Sequence, residues 1–202
     1  MRLFEAPPES LIIDGVEYPI DTDFRRWIEF QAIMTKDNSN DEKTADLIDF
    51  IESLGLPFSE GTLPAIIDFF SGGEKRSTNN SQKKAYDFEL DSGLIFSAFM
   101  TQYAMDLTTE HIHWWKFKAM FSSLSEEHII SKIMWARTAD TSKMSKEMKE
   151  YAERLRSAYP LSVGENGHKM TLEEINKKWV EYVARRFEEA QKGDMSTLRG
   201  AE

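Results

Sequence analysis

Along most of this chain, apolar residues recur at the three- and four-residue spacing of amphipathic helices. The exception lies near the N-terminus, where two short apolar segments, residues 11–13 and 16–20, flank Asp14-Gly15. Asp-Gly suits a two-residue hairpin turn, because both residues tolerate a positive φ. The pattern therefore predicts a short β-hairpin followed by a series of helices.

Three helices are predicted before residue 73. The first follows a cap at Thr22 or Asp23 and has one apolar side. The second covers residues 44–54 and the third residues 62–71, and each ends at a glycine. The apolar side of the first helix consists of Phe24, Trp27, Ile28, Ile33 and Met34.

Residues 74–84 contain no apolar side chain, so this segment is predicted to be an exposed and mobile loop. Three closely spaced helices are predicted beyond it, at about residues 87–104, from about residue 108, and at about residues 125–137. Because the connections are short, we expect these three helices to be neighbours in space.

After Asp140 the chain becomes more charged and predicts two further helices, at about residues 141–158 and 171–191. The last one begins with a capping box, Thr171 to Glu174. It has an apolar side that either packs back on the body or belongs to a detachable arm, because a glycine-containing hinge precedes it. The members of this side are Ile175, Trp179, Tyr182, Val183 and Phe187.

These patterns predict a mainly α fold, in which a helical core is preceded by a small N-terminal β-hairpin and followed by a more mobile C-terminal helical pair. The predicted division is a helical core domain at residues 1–140, with the hairpin and the exposed loop 74–84, and a C-terminal helical extension at residues 141–202. A chain of 202 residues is long enough for one sizeable core.

Residues 86–137 hold ten of the 24 aromatic residues of the chain, and residues 113–117 read His-Trp-Trp-Lys-Phe. At about 100° per residue, a helix here is apolar on two opposed sides. Both sides of such a helix need to be covered. Either two layers of the same protein cover them, or the core of the protein covers one side and a partner covers the other. The wider side consists of Trp114, Phe117, Met120, Phe121 and Leu124, and the narrower one of Ile112, Trp115 and Ala119.

Composition and charge narrow the class of protein. Charged residues make up 30% of the chain, and no apolar run approaches the roughly 18 residues of a membrane helix. Without cysteine or an apolar leader segment, a cytoplasmic location is expected. The net charge of −10 arises within residues 1–72, which contain 15 acidic and five basic residues. Such a balance argues against nucleic acid as a partner and leaves either an acidic solvated surface or a patch for a basic partner.

The sequence contains no strong catalytic or metal-binding pattern. His111 and His113 point about 200° apart on a helix, so one ion cannot readily take both. Glu110 and His113 form half of a possible carboxylate site, but no second half occurs on a helix. Phosphate-binding loops and nucleophile motifs are also absent. We therefore expect a non-enzymatic protein without metal or cofactor.

Arg137 lies on the apolar side of its predicted helix and is expected to need a carboxylate partner. The candidates are Asp87, Asp91 and Asp106. A structural ion pair is the favoured interpretation, and a ligand-binding role is the alternative.

The aromatic residues of this segment and the charged residues near them occur in an order that is typical of a known protein family. The residues that carry it are Tyr86-Asp87-Phe88, Asp91, Ile95-Phe96, Phe99, Tyr103-Ala104-Met105-Asp106-Leu107, His113-Trp114-Trp115-Lys116-Phe117 and Arg137. In these residues the chain resembles a family of tail assembly chaperone-like proteins from long-tailed phages of Gram-positive bacteria. The resemblance covers most of residues 1–140 and weakens beyond Asp140.

The resemblance implies a protein of the host cell cytoplasm that binds the phage tape measure protein before the tail tube polymerises, with the major tail protein as a further partner. Such a protein is expected to be absent from the mature virion, and it could form a homo-oligomer. The alternative is a permanent structural subunit of the tail or of the head–tail connector. For partner binding, the residues singled out are Ile112, Trp115, Trp135, Trp179, Tyr182 and Phe187.

Overall fold

The structure is a computed structural model that describes residues 5–35, 40–72, 83–161 and 172–198. Within these ranges it is mainly helical, with one antiparallel two-stranded sheet at the N-terminal end, which confirms the predicted fold class. The strands are β1 (Ser10–Ile13) and β2 (Val16–Pro19). The helices are α1 (Phe24–Thr35), α2 (Asn40–Ser53), α3 (Thr62–Ser71), α4 (Ser92–Tyr103), α5 (Trp114–Ser122), α6 (Ile129–Thr138), α7 (Lys146–Ala158) and α8 (Leu172–Leu198).

The hairpin turn has the predicted geometry. Asp14 and Gly15 adopt φ values of 51° and 82°, and Ile13 pairs with Val16 directly across the turn. Both central residues are left-handed, as a tight two-residue hairpin requires. Leu11 and Ile13 are buried, and β1 packs against α3.

The chain forms two compact units. Unit 1 comprises Met1–Lys75 and Glu165–Glu202, and unit 2 comprises Arg76–Gly164. This grouping differs from the predicted boundary at residue 140, because α8 belongs with the N-terminal helices whereas α7 belongs with α6. The loop predicted at residues 74–84 lies outside the described residues except for Lys83 and Lys84.

Unit 1 is built around packed aromatic rings on α1, α2 and α3. Asp23, one of the two predicted caps, accepts a hydrogen bond from the backbone N–H of Arg25 at the start of α1. The indole of Trp27 is completely buried and donates to the carbonyl oxygen of Asp21. The other rings of this core are Phe30, Phe50, Phe69 and Phe70.

The first part of α8 closes unit 1 by packing on α2 and α3. Ile175, Trp179 and Val183 are buried, and Trp179 Nε1 donates a 2.8 Å hydrogen bond to the carbonyl oxygen of Ser59. Of the two alternatives for this helix, the structure therefore shows packing on the body. The predicted cap at Thr171 lies outside the described residues, and the greater mobility of the C-terminal pair stays a prediction.

In unit 2 the helices begin later than periodicity predicts, and local side chains explain the delay. The carboxylate of Asp87 accepts hydrogen bonds from the backbone N–H groups of Glu89 and Leu90, which forms a turn before α4. His113 caps α5, because its Nδ1 accepts from the N–H of Trp115. The expectation of a helix from about residue 108 was therefore wrong.

The core of unit 2 is a stack of aromatic rings between α4 and α5. Phe99 and Phe117 stack with centroids 5.2 Å apart, and Trp114 and Phe121 lie next to Phe117 along α5. The hydroxyl of Tyr103 donates to the carbonyl oxygen of Met120 and so ties α4 to the end of α5. These rings of α5 form the wider apolar side that the sequence predicts for the helix with the tryptophan pair, which we call the tryptophan helix.

Candidate functional site

Arg137 forms the polar centre of unit 2. Its guanidinium makes a two-pronged ion pair with Asp91, with Nη1–Oδ2 and Nη2–Oδ1 distances of 2.6 and 3.0 Å. Nη1 also donates to the carbonyl oxygen of Ala85, and Nη2 to that of Tyr159. Both charged side chains are more than nine-tenths buried. The arginine thus joins the segment before α4, the start of α4 and the end of α7.

The other two predicted carboxylates have different partners. Asp106 accepts from the backbone N–H and the hydroxyl of Thr108. Asp87 accepts from Lys84 Nζ at 2.6 Å, while its own backbone N–H donates to Asp91 Oδ2. Burial by itself would raise the pKa of Asp87, but the hydrogen bonds from Lys84, Leu90 and Glu89 lower this pKa below its ordinary value.

A second arginine completes the link between α6 and α7. Arg156, on α7, donates from Nε to the carbonyl oxygen of Ala136 and from Nη2 to that of Ala139 at the end of α6. Carbonyls at a helix C-terminus lack partners within the helix, so these bonds satisfy acceptors that are otherwise open. Arg137 and Arg156 therefore tie the ends of the two helices to each other. Because these groups bond to backbone carbonyls and to a buried carboxylate, they serve the packing of unit 2.

The narrower side of the tryptophan helix differs from its prediction. Ile112 precedes α5 and is buried, so it does not share an open helix face with Trp115. Trp115 is half-buried and Ala119, one turn later, is exposed. The correction follows from the capping by His113, which starts the helix two residues after Ile112. Only Trp115 and Ala119 remain as an open part of this side.

A second aromatic patch lies where α6 meets α7, and we call it the α6–α7 patch: Trp135, Met148 and Tyr151. The rings of Trp135 and Tyr151 have centroids 6.3 Å apart, and both side chains are half-buried. Met148 is exposed and lies one turn before Tyr151 on the same side of α7. The sequence reasoning named Trp135 but missed Met148 and Tyr151. Their spacing of three and four residues with Ala152 and Leu155 was the signal available.

The three partner-binding residues predicted on α8 lie in different environments. Trp179 is buried in unit 1 and cannot contribute to an open surface. Tyr182 is half-buried beside Phe58, with ring centroids 6.2 Å apart. Phe187 is 60% exposed. The structure therefore separates one anchoring side chain from two that reach the surface.

Within the described ranges, no group of three or more acidic or histidine side chains is placed to hold a metal ion. His113, one half of the possible carboxylate site, uses its Nδ1 atom as the cap of α5. None of the helices in the described part of the chain combines the length and apolar character needed to cross a membrane.

Comparison with known proteins identifies the family of this chain. No curated protein and no solved structure matches the chain. The sequence model of the family described as Bacteriophage Gp15 protein matches residues 7–161, which includes the hairpin, the aromatic stack, the Arg137 cluster and the α6–α7 patch. Because this match extends over more than half of the sequence, the chain belongs to the bacteriophage Gp15 protein family.

Proposed function

We propose that this phage protein is a non-enzymatic tail assembly chaperone, which binds the tape measure protein and assists assembly of the tail tube. The observation that carries the proposal is the α6–α7 patch, an aromatic and methionine surface within the residues that match a phage family. The resemblance of the tryptophan segment to tail assembly chaperone-like proteins supports the same role.

The α6–α7 patch has the chemistry expected of a surface that accepts many similar segments. Methionine has three rotatable bonds and a polarisable sulfur, so Met148 can adapt to side chains of different shape. Trp135 and Tyr151 supply large rings with few rotatable bonds, which lowers the entropy cost of binding. A long helical protein with apolar stripes would place side chains against such a surface in many registers.

Trp115 and Ala119 supply a second open apolar surface on α5. The half-buried indole offers a face for contact, and the small Ala119 leaves room for a partner side chain. We include Trp115 among the proposed contacts and remove Ile112 and Trp179, because burial withdraws both from the surface.

The proposed setting is the cytoplasm of the host cell, with release of the protein before the virion is complete. Tape measure protein is the principal partner, and the major tail protein is a second one. We propose no nucleic acid, membrane or cofactor as a partner. The acidic surplus of residues 1–72 supports the absence of a nucleic acid partner, because phosphates bind clustered lysine and arginine.

The proposal is tested by co-expressing the full chain with overlapping tape measure fragments and measuring how much of each fragment stays soluble and co-purifies. We expect fragments with apolar helical stripes to be retained. Changing both Trp135 and Tyr151 to Ala should lower retention at least tenfold, which is about 1.4 kcal/mol. Ile12→Ala is the matched control, because Ile12 is also an exposed apolar side chain but lies on the hairpin.

Retention that is unchanged in the double variant would reject the α6–α7 patch as the contact. Mass spectrometry of purified virions is a second test, which distinguishes a chaperone from a permanent subunit. Stoichiometric copies in mature tails would reject the chaperone role and identify a permanent subunit of the tail or connector.

A further inference from the structure

The guanidinium of Arg137 lies where the chain enters and leaves the described part of unit 2. Nη1 donates a 3.1 Å hydrogen bond to the carbonyl oxygen of Ala85, in the segment that precedes α4, the first described helix of this unit. Nη2 donates a 3.0 Å hydrogen bond to the carbonyl oxygen of Tyr159, which directly follows α7, the last one. One side chain therefore holds both ends. We call residues 83–90 the entry segment.

The two Nη atoms use all four of their N–H groups for these contacts and for the ion pair. Nη1 reaches Ala85 and Asp91, and Nη2 reaches Asp91 and Tyr159. The side chains of Arg137 and Asp91 are only 6% and 3% exposed, so water is largely excluded from the ion pair. If one end of the unit separated, water would reach the pair and weaken the attraction that positions the guanidinium for the other end. The two ends are therefore expected to open together.

The entry segment is attached to unit 2 at two further places. The backbone N–H of Asp87 donates to Oδ2 of Asp91, the same oxygen that Arg137 binds. The ring of Phe88 lies beside that of Phe121, with centroids 5.5 Å apart, and so extends the aromatic stack of α5. The segment that leads into unit 2 is therefore part of its core.

Unit 2 also has a hydrophobic core of its own. α4 packs on α6, and α6 packs on α7. Phe99, Phe117, Ile130 and Ile133 lie inside this group of helices and are at most 1% exposed. Unit 2 is longer than the roughly 60 residues at which many domains already fold alone. In unit 1, α8 packs on α2 and α3, so that unit is held together by its own C-terminal helix.

We propose that unit 2 is an inserted domain that folds and unfolds independently of unit 1, and that Arg137 closes it by holding its two ends together. A domain whose ends lie close together can be inserted into another domain without disrupting either of them. The shared guanidinium brings the ends of unit 2 together in this way, because both carbonyl oxygens bind the same group.

The surface of unit 2 should share this independence. Trp135 and Tyr151, whose ring centroids are 6.3 Å apart, both belong to helices of unit 2. Their contact is therefore expected to persist while unit 1 is unfolded. This expectation does not require that the contact binds tape measure protein, so it holds or fails separately from the proposed function.

Hydrogen exchange of the full chain in increasing concentrations of urea, read by mass spectrometry, tests the independence of the two units. Asp91→Ala removes the partner of Arg137 and should lower the urea midpoint of peptides from α4 to α7 by about 1 M, with the peptides of unit 1 unchanged. Trp179→Ala should lower only the midpoint of peptides from α1, α2, α3 and α8. If either variant shifts the peptides of both units equally, the two units unfold as one and the proposal is wrong.

Residue-level hydrogen exchange of the wild-type chain tests whether Arg137 closes the unit. The N–H of Asp87, which donates to Asp91, reports on the entry segment, and the N–H of Tyr159, which donates to Leu155, reports on the end of α7. If one side chain holds both ends, these two N–H groups should exchange with the same dependence on urea. Different dependences would show that the ends open separately and would reject the closure.

Arg137→Lys and Arg156→Lys form a matched pair of variants. Lysine keeps the charge but cannot reproduce the planar set of bonds that the guanidinium makes. Arg137→Lys should therefore raise the exchange rates of both Asp87 and Tyr159 at least tenfold. Arg156 bonds to carbonyls at the end of α6, so its replacement should raise the rate of Tyr159 alone.

Two results with these variants would overturn the proposal. The first is an increase at Tyr159 alone in Arg137→Lys, because the arginine then does not hold the entry segment. The second is a loss of protection in α1, α2, α3 and α8 when Arg137→Lys unfolds unit 2. An independent unit 1 should instead keep its wild-type midpoint in that case.

Discussion

Unit 1 and unit 2 use different chemistry at the contacts that join distant parts of their sequence. In unit 1, Trp179 reaches the segment before α3, 120 residues earlier, with a buried ring and one hydrogen bond to Ser59. In unit 2, Arg137 reaches Asp91, 46 residues earlier, through a buried ion pair, and it also holds two backbone carbonyls. The first contact depends on apolar burial, and the second on the pairing of a buried arginine with a buried carboxylate. The Nε atom of Arg137 is buried without a hydrogen-bond partner among the described residues.

This difference shows how substitutions should act. When a buried apolar side chain is made smaller, the protein loses stability in proportion to the volume that is removed. A smaller ring at the same position therefore retains part of the stability. A buried ion pair fails when one partner is removed, because the other charge is left buried without compensation. Replacing both partners by apolar residues, however, is often tolerated.

The largest effect is expected for Asp91→Ala in unit 2. The guanidinium of Arg137 would stay buried without its carboxylate, and we expect a loss of about 3–5 kcal/mol in the free energy of unfolding. Urea denaturation with hydrogen exchange in α4 and α6 measures it. The double variant Asp91→Leu with Arg137→Met should recover part of the loss, because it removes both buried charges. Recovery stays partial because the N–H of Asp87 and the carbonyls of Ala85 and Tyr159 lose these partners. If the double variant is as unstable as the single one, the ion pair is not the reason for the loss.

The matching change in unit 1 is Trp179→Ala. We expect a loss of about 3 kcal/mol, at the lower end for a buried tryptophan, because α8 can move to fill part of the cavity. Trp179→Phe keeps a buried ring and removes one of the two hydrogen bonds to the carbonyl of Ser59, which still accepts from the backbone N–H of Thr62. This change should therefore cost only about 1 kcal/mol. Hydrogen exchange in α8 and urea denaturation report both. Equal losses for the two variants would show that the hydrogen bond, and not ring burial, is the anchor.

Two adjacent tryptophans in unit 2 differ in burial, so substituting each one compares a buried ring with a partly exposed ring. Trp114 is 2% exposed and Trp115 is half-buried. We expect Trp114→Ala to cost about 3–5 kcal/mol, and Trp115→Ala only about 1–2 kcal/mol. Thermal unfolding measures stability, and retention of tape measure fragments measures binding. A large fall in melting temperature for Trp115→Ala with binding intact would remove this residue from the proposed contact surface.

The smallest effect concerns pH and the ion pair between Lys84 and Asp87. Because the pKa of Asp87 is lowered in the folded state, the unfolded chain binds its proton first as pH falls. The stability that Asp87 contributes is therefore present above about pH 4 and is lost as pH falls through the lowered pKa. Unfolding free energies at pH 7 and pH 3 should differ less in Asp87→Asn than in wild type. Glu126→Gln, an exposed change in the same unit, is the control, and an equal reduction there would contradict the assignment.

Some features of the fold and the candidate site were predictable because they depend on neighbouring residues. Asp14-Gly15 predicted the hairpin turn, and Asp23 was one of two residues named as a cap for α1. The start of α5 was not predicted, because the periodicity of residues 108–113 resembles a helix although the ring of His113 caps the backbone there. Of the α6–α7 patch, only Trp135 was predicted. Tyr151 could not be assigned to it from the sequence, because its place in the patch depends on the contact with the ring of Trp135.

By itself, the sequence determined the helical class, the hairpin and the expectation that Arg137 needs a carboxylate, because these follow from backbone preference, periodicity and the cost of a buried charge. Only the tertiary structure decided that Asp91 provides this carboxylate and that α8 packs with the N-terminal helices. It also decided that Trp179 is buried while Phe187 is open. The physical reason is that one apolar stripe has the same spacing whether a neighbour covers it or not, so burial depends on segments far away in the chain.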